Sequence, residues 1–161
     1  MEDEILYLDR PAGSSLAYCY TPAQPGVQGP TLIFLPGYMS DMDGGKALAV
    51  NSWAQAKGRA MLRLDYAGCG ASGGAFEDQS LIDWRDDVLF LIDKVTAGSV
   101  TLIGSSMGGW LMLLVALSRP MRVKNLVGIA AAPDFTDWGF SQEQKMTILQ
   151  EGKLEEHSEY S

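Results

Sequence analysis

Apolar residues along this chain fall into short runs and stripes that switch between the periods of strand and helix. Ile5 to Asp9 and Leu16 to Thr21 alternate or run apolar around a PAGSS turn, which predicts an opening antiparallel hairpin. The Pro/Gly-rich stretch TPAQPGVQGP reads as a loop, and Thr31 to Leu35 (TLIFL) as a buried strand ended by Pro36-Gly37. Lys46 to Lys57 places Ala47, Val50, Trp53 and Ala54 on one helical face, with Gly58 suited to the stop. Ala60 to Asp65 (AMLRLD) is the next strand, followed by the glycine-rich loop YAGCGASGGAFEDQ.

Leu81, Trp84, Val88, Leu91 and Val95 recur at steps of three and four, the mark of an amphipathic helix. On that reading Asp83, Arg85, Asp86, Asp87 and Asp93 form its solvated side. Val100 to Ile103 is a strand, Met107 to Leu117 a helix and Asn125 to Ala131 another strand. Ser141 with Gln144 makes a capping box that opens a helix to about Glu151, stopped by Gly152. The alternation of strands and helices, without internal repeats, predicts an α/β fold around a mostly parallel, doubly wound sheet. At 161 residues the chain suits one domain, 1–161, with one core.

Composition then removes several functions. A net charge of -8 argues against nucleic acid as a partner, because phosphate binding needs clustered Lys and Arg. The longest apolar run, Trp110 to Leu117, has the length of a buried helix, so no membrane span is expected. The start MEDEILYLDR is acidic and lacks the basic-then-apolar order of a secretory leader, which makes the cytoplasm the expected address. Cys19 and Cys69 lie far apart and the chain has one histidine, so neither a metal site nor any other cofactor is implied.

The chemistry concentrates at G-x-S-x-G, which occurs twice. Gly104-Ser105-Ser106-Met107-Gly108 follows a buried strand and leads directly into an apolar helix. That context lifts a serine above the sheet edge, and the small residues let strand and helix cross closely. Gly70-Ala71-Ser72-Gly73-Gly74 lies seven residues beyond its strand and is followed by AFEDQ, so Ser72 reads as a loop residue. Ser106 is therefore the candidate nucleophile. The N–H of Met107, in the first turn of the helix, would face an oxyanion. A second donor is expected from Leu35-Pro36-Gly37-Tyr38-Met39, where Tyr38 offers its N–H. A plain strand-to-helix turn is the alternative for that loop.

The run GSSMGGWLML, with SRP and VGIAAAPD downstream, and the segments FLPGYMSDM and LDYAGCGASGG resemble one branch of the α/β-hydrolase superfamily. That branch contains mitochondrial palmitoyl-protein thioesterases, which also cleave acyl glucuronides, and their bacterial relatives. The resemblance covers nearly the whole chain and GSSMGGW is its most specific part. It implies Ser106 as nucleophile with Tyr38 and Met107 as oxyanion donors. Pro36-Gly37 stands where many hydrolases carry His-Gly, which leaves the backbone role intact. The implied activity is hydrolysis of carboxylic esters or thioesters of small-molecule or acyl-protein substrates through an acyl-enzyme.

In this fold the acid and the histidine follow the nucleophile in the chain, and the resemblance places them after the seventh and eighth strands. The sequence runs only about thirty residues past its sixth strand. The expectation is the N-terminal two-thirds of a hydrolase domain, inactive alone, with a lid region starting within about 134–161. A second polypeptide carrying the remaining strands, or self-association, would complete it. His157 sits in polar EGKLEEHSEYS and Asp134 follows the sixth strand; neither is the expected base or acid.

Two other classes compete. Gly68-Cys69-Gly70-Ala71-Ser72-Gly73 fits G-x-G-x-x-G of a dinucleotide-binding oxidoreductase, but no helix opens on those glycines. DMDGGKAL is no phosphate loop, since Ser40 stands where its first Gly belongs and Ala47 where Ser or Thr should follow Lys46. A non-catalytic binding module on the same fold is the third possibility. Trp110, Trp138, Phe140 and Met39 are candidate walls for an acyl chain, or ordinary core and lid packing.

Overall fold

The computed structural model describes residues 3–132. β1 (Leu6–Leu8) and β2 (Leu16–Thr21) form the expected hairpin, with Leu8 opposite Leu16. β2 pairs antiparallel with β4 (Met61–Leu64), while β4, β3 (Thr31–Leu35), β5 (Val100–Ser105) and β6 (Val123–Ile129) run parallel. The strand order is β1-β2-β4-β3-β5-β6. This is the α/β fold expected from the alternation.

The side chains of β3 show why both faces need cover. Ile33 and Leu35 face one way, Leu32 and Phe34 the other, and all four are buried. The crossovers place α1 (Gly45–Ala56) on one face, against Leu32, Phe34, Met61 and Ile103. They place α2 (Leu81–Val95) and α3 (Met107–Ser118) on the other, where Trp84, Val88, Leu91, Leu111 and Val115 pack on Ile33, Leu35, Leu62, Leu64 and Leu102. Each fully buried Leu or Ile there is worth about 1.5–3 kcal/mol. α2 opens with a reciprocal cap: Ser80 Oγ accepts the Asp83 N–H (3.2 Å) and Asp83 Oδ2 accepts the Ser80 N–H (2.8 Å). Among the described residues no helix is long and apolar enough to cross a membrane.

Two expectations about helix faces are corrected. In α1 the buried stripe is Ala47, Asn51 and Ala54, whereas Trp53 is 50 % exposed. Asn51 is inward because its amide donates to Asp3 (2.8 Å), and Asp3 also pairs with the buried Arg63 of β4 (2.6 Å). Arg63 donates further to the Met42 carbonyl (2.7 Å) and to Asp43 (3.1 Å), so the chain start, α1 and the loop after β3 share one polar knot. In α2 Asp87 is not solvated; it is wholly buried. Its Oδ2 accepts the Ala67 N–H (2.8 Å) and its Oδ1 pairs with the Arg10 guanidinium. Arg10 also donates to the Ser14 carbonyl (2.9 Å), so this ion pair fastens the turn between β1 and β2 onto α2. The helix expected over Ser141 to Glu151 lies outside the described residues.

Candidate active site

β3 lies between β4 and β5, so the chain leaves it in one direction and returns on its other side. Loops diverge at such a switch point and leave a crevice at the carboxyl ends of the strands. The loops after β3 and β5 meet there. A Cβ placed on Gly37 would lie 3.3 Å from Ser106 Cβ and 3.2 Å from the Ser105 carbonyl oxygen.

Ser106 occupies the single position between the last residue of β5 and the first of α3. Its backbone has φ 54° and ψ -118°, a conformation that costs an L-residue of order 1–3 kcal/mol and persists only where its surroundings enforce it. The enforcement is visible. The Ser106 N–H donates to the Ile129 carbonyl (3.1 Å), and the Ser106 carbonyl accepts the N–H groups of Gly109 (2.9 Å) and Ala132 (2.9 Å). Close packing adds to it, because a Cβ on Gly108 would land on the Leu35 carbonyl oxygen. The result is an exposed residue at the crevice whose backbone is fixed by hydrogen bonds at both its N–H and its carbonyl. Met107, as the first residue of α3, has no preceding turn to receive its N–H.

The loop after β3 is held from several sides. Ser40 N–H donates to the Gly37 carbonyl (3.1 Å), closing a turn around Tyr38 and Met39, and Met39 has φ 57°. Asp65, buried at the end of β4, accepts the N–H groups of Met42 and Ala71, each at 2.8 Å. Burial pushes its carboxyl above the usual carboxylate range, with those two donors opposing. Tyr38 is 47 % exposed and its ring meets the edge of Phe76 at 5.5 Å. A small recess lined by Gly37, Ser40, Lys46 and Ser105 adjoins the elbow, the sharp turn from β5 through Ser106 into α3. The larger groove, between Trp53, Ile103 and Val127 on the α1 face, is not at Ser106.

Ser72 is in a different position. Its Oγ accepts the Ala17 N–H (2.8 Å) and donates to the Asp65 carbonyl (2.7 Å), so the hydroxyl ties the glycine-rich loop to β2 and β4. Ser72→Ala should cost about 1–2 kcal/mol of stability by orphaning those groups, with nucleophilic reactivity of the protein unchanged. Thermal unfolding and labelling with a serine-directed probe, compared with the wild type, check this. The same loop offers little to a pyrophosphate. Gly68 and Gly73 N–H donate to the carbonyls of Gly73 (2.8 Å) and Ser15 (2.9 Å), and the loop ends in a 3-10 turn, Phe76–Asp78, before α2.

Asp65 and Tyr66 escaped the sequence reading, although a carboxylate closing an apolar strand was the available signal. Among the described residues there is no histidine. His157, Asp134, Trp138 and Phe140 all lie outside them; of the other candidate walls, Met39 is 52 % exposed beside the elbow and Trp110 half-buried on α3.

Residues 30–152 match the family model for the alpha/beta hydrolase fold. The chain belongs to the α/β-hydrolase family. It is 41 % identical over 158 residues to the human mitochondrial palmitoyl-protein thioesterase ABHD10, covering 96 % of this chain and 50 % of that protein. Mouse alpha/beta hydrolase domain-containing protein 10 superposes with a TM-score of 0.80 at 38 % identity, over 98 % of this chain and 62 % of that one. A putative hydrolase from Agrobacterium vitis S4 gives a TM-score of 0.79 at 35 % identity, over 99 % and 65 %. The chain thus spans about half the length of the curated relatives it matches. These relatives also overturn the expected cytoplasmic address, since human, orangutan and bovine ABHD10 are all named as mitochondrial. Membership of this hydrolase family, with thioesterases as relatives, supports a hydrolase.

Proposed function

We propose that the chain carries the nucleophile of a serine hydrolase that cleaves thioesters or carboxylic esters of acyl substrates through an acyl-enzyme on Ser106. The observation that carries this reading is the enforced backbone of Ser106, which presents its hydroxyl at the crevice where the loops after β3 and β5 touch. Ser106 Oγ attacks the acyl carbonyl carbon while a base takes its proton. The N–H groups of Met107 and Tyr38 stabilise the tetrahedral oxyanion, each worth about 3 kcal/mol of barrier. Collapse expels the thiol or alcohol, protonated by the same base, and water releases the acid by the reverse sequence.

We assign the base to a histidine other than His157, oriented by an acid. The strands that bear them would extend the sheet beside β6, from the same polypeptide or from a second one. Among the described residues β6 is the last strand in the sheet order, and its Leu126 and Val127 are 41 % and 46 % exposed. The thioesterase names of the relatives favour a thioester as the substrate bond.

A fluorophosphonate probe distinguishes this reading from a binding module on the same fold, because phosphonylation needs an activated serine. In the complete natural polypeptide we expect one probe adduct, on Ser106, blocked by prior incubation with an acyl thioester. A protein that binds acyl thioesters but takes up no probe would be the binding module.

A further inference from the structure

The glycine-rich loop after β4 has no part in the chemistry above, yet it reaches the oxyanion side of the crevice at two points. Tyr66, first residue of that loop, is 1 % exposed and donates its phenolic hydrogen to the Pro36 carbonyl (2.8 Å). Pro36 is the residue before Gly37-Tyr38. The second point is Phe76, whose ring meets Tyr38 at 5.5 Å. Phe76 also lies 5.5 Å from Trp84, which stacks on Tyr66 at 5.7 Å and donates its indole N–H to the Ala67 carbonyl (3.0 Å). The loop therefore grips the segment Pro36–Tyr38 at both ends, through one hydrogen bond and a row of four rings. Gly68 permits this return: its φ is 77°, and a Cβ there would lie 2.6 Å from the backbone of Phe76.

We infer that Tyr66 is a positioning residue for the oxyanion donors, holding the Pro36 carbonyl so that the Tyr38 N–H points at the crevice. The inference rests on the hydrolase reading of Ser106. The physical need is plain. The Pro36 carbonyl is buried, and a peptide plane is fixed at one end by what its oxygen accepts. The next plane, which carries the Tyr38 N–H, has its oxygen held by the Ser40 N–H (3.1 Å), so the phenol fixes one end of a two-plane unit whose tilt toward the crevice changes when the phenol is lost. A donor misplaced by about 1 Å in a preorganised site costs on the order of 100-fold in rate.

Tyr66→Phe, made in the complete natural polypeptide, keeps the ring in its stack and removes only the hydroxyl. We expect kcat to fall about 30-fold with KM within about threefold, as loss of transition-state stabilisation requires. The inhibition constant of an alkylboronate, which forms a tetrahedral adduct on the serine, should rise by the same factor as kcat/KM falls. Phe76→Leu, at a half-buried position that tolerates the change, should reproduce the pattern at about tenfold and decides the matter if Tyr66→Phe does not fold. Val88→Ala on α2 is the control for lost stability alone, with kcat and boronate affinity near wild type.

A Tyr66→Phe variant with unchanged kcat, or with lower kcat but undiminished boronate affinity, would overturn the inference. Fluorophosphonate labelling of the same preparations separates this failure from the larger one. Labelling at Ser106 with turnover intact in both variants removes only the role of Tyr66. No labelling at Ser106 in the wild type removes the hydrolase reading, and this inference with it.

Discussion

Ser106→Ala should lower kcat on an acyl thioester or ester by at least about a thousandfold and abolish fluorophosphonate labelling. The nucleophile and its base act as one unit, so loss of the hydroxyl alone leaves only what oxyanion donors and binding can do. The fold should survive. The Ser106 backbone is held by Ile129, Gly109 and Ala132 through main-chain bonds that alanine retains, and the side chain is exposed. Steady-state turnover, probe labelling and a thermal melt in the complete polypeptide check the three parts. Turnover within tenfold of wild type, or labelling that persists and moves to another serine, would remove Ser106 from the mechanism.

Asp87→Ala should be the most damaging single change outside the crevice, costing about 3 kcal/mol, or roughly 6–12 °C in Tm for a chain of this size. It leaves the buried Ala67 N–H without an acceptor and the Arg10 guanidinium without its anion. Arg10 keeps some contact with solvent, which holds the cost at the lower end for broken buried pairs.

The pH dependence of Asp87 carries a second test. Burial, against the Ala67 N–H and Arg10, pushes its carboxyl up from 3.8 to about 6. A folded-state value above the unfolded one means the folded protein holds the proton more tightly between those limits. The pH-dependent part of the stability at Asp87 is thus fully present below pH about 4 and is lost as pH rises through about 6, on top of the contacts with Ala67 and Arg10 that alanine removes. Asp87→Asn keeps an acceptor for Ala67, so it should cost less than alanine and flatten the stability profile across that window. Denaturant unfolding from pH 4 to pH 7 provides the comparison, and an unchanged slope in Asp87→Asn would assign the pH dependence to other groups.

What was legible in the sequence followed the range of the forces involved. β3 was readable to the residue because a short apolar run between Pro/Gly segments has few other solutions, and α2 because its stripe persists for fifteen residues. The elbow was readable because strand, turn chemistry and helix are contiguous. The misreadings were polar residues on apolar faces. Asp87 lies three residues after Trp84 and four before Leu91, on the buried stripe itself, but its charge suggested solvent. Its partner Arg10 is 77 positions away, and that of Asn51 is 48 positions away. No local period encodes such pairs. For the same reason the grip of Tyr66 on Pro36, 30 positions back, was out of reach, and the site residues beyond Ala132 stay outside the described structure.

The bonds that set Ser106 have a consequence for the order of folding. Its amide and carbonyl are locked by Ile129, at the end of β6, and by Ala132 just after it, which follow it by more than twenty residues. During synthesis, at roughly 5–20 residues per second, the strand and helix on either side of Ser106 emerge seconds before the groups that hold its backbone. Parallel pairing is also slow, because a long loop must close before any ladder forms. The nascent chain therefore passes through a stage in which the serine exists without its conformation. On the proposed mechanism, Ser106 would become reactive only when β6 zips into register, so the topology would shield an unfinished chain from premature acylation.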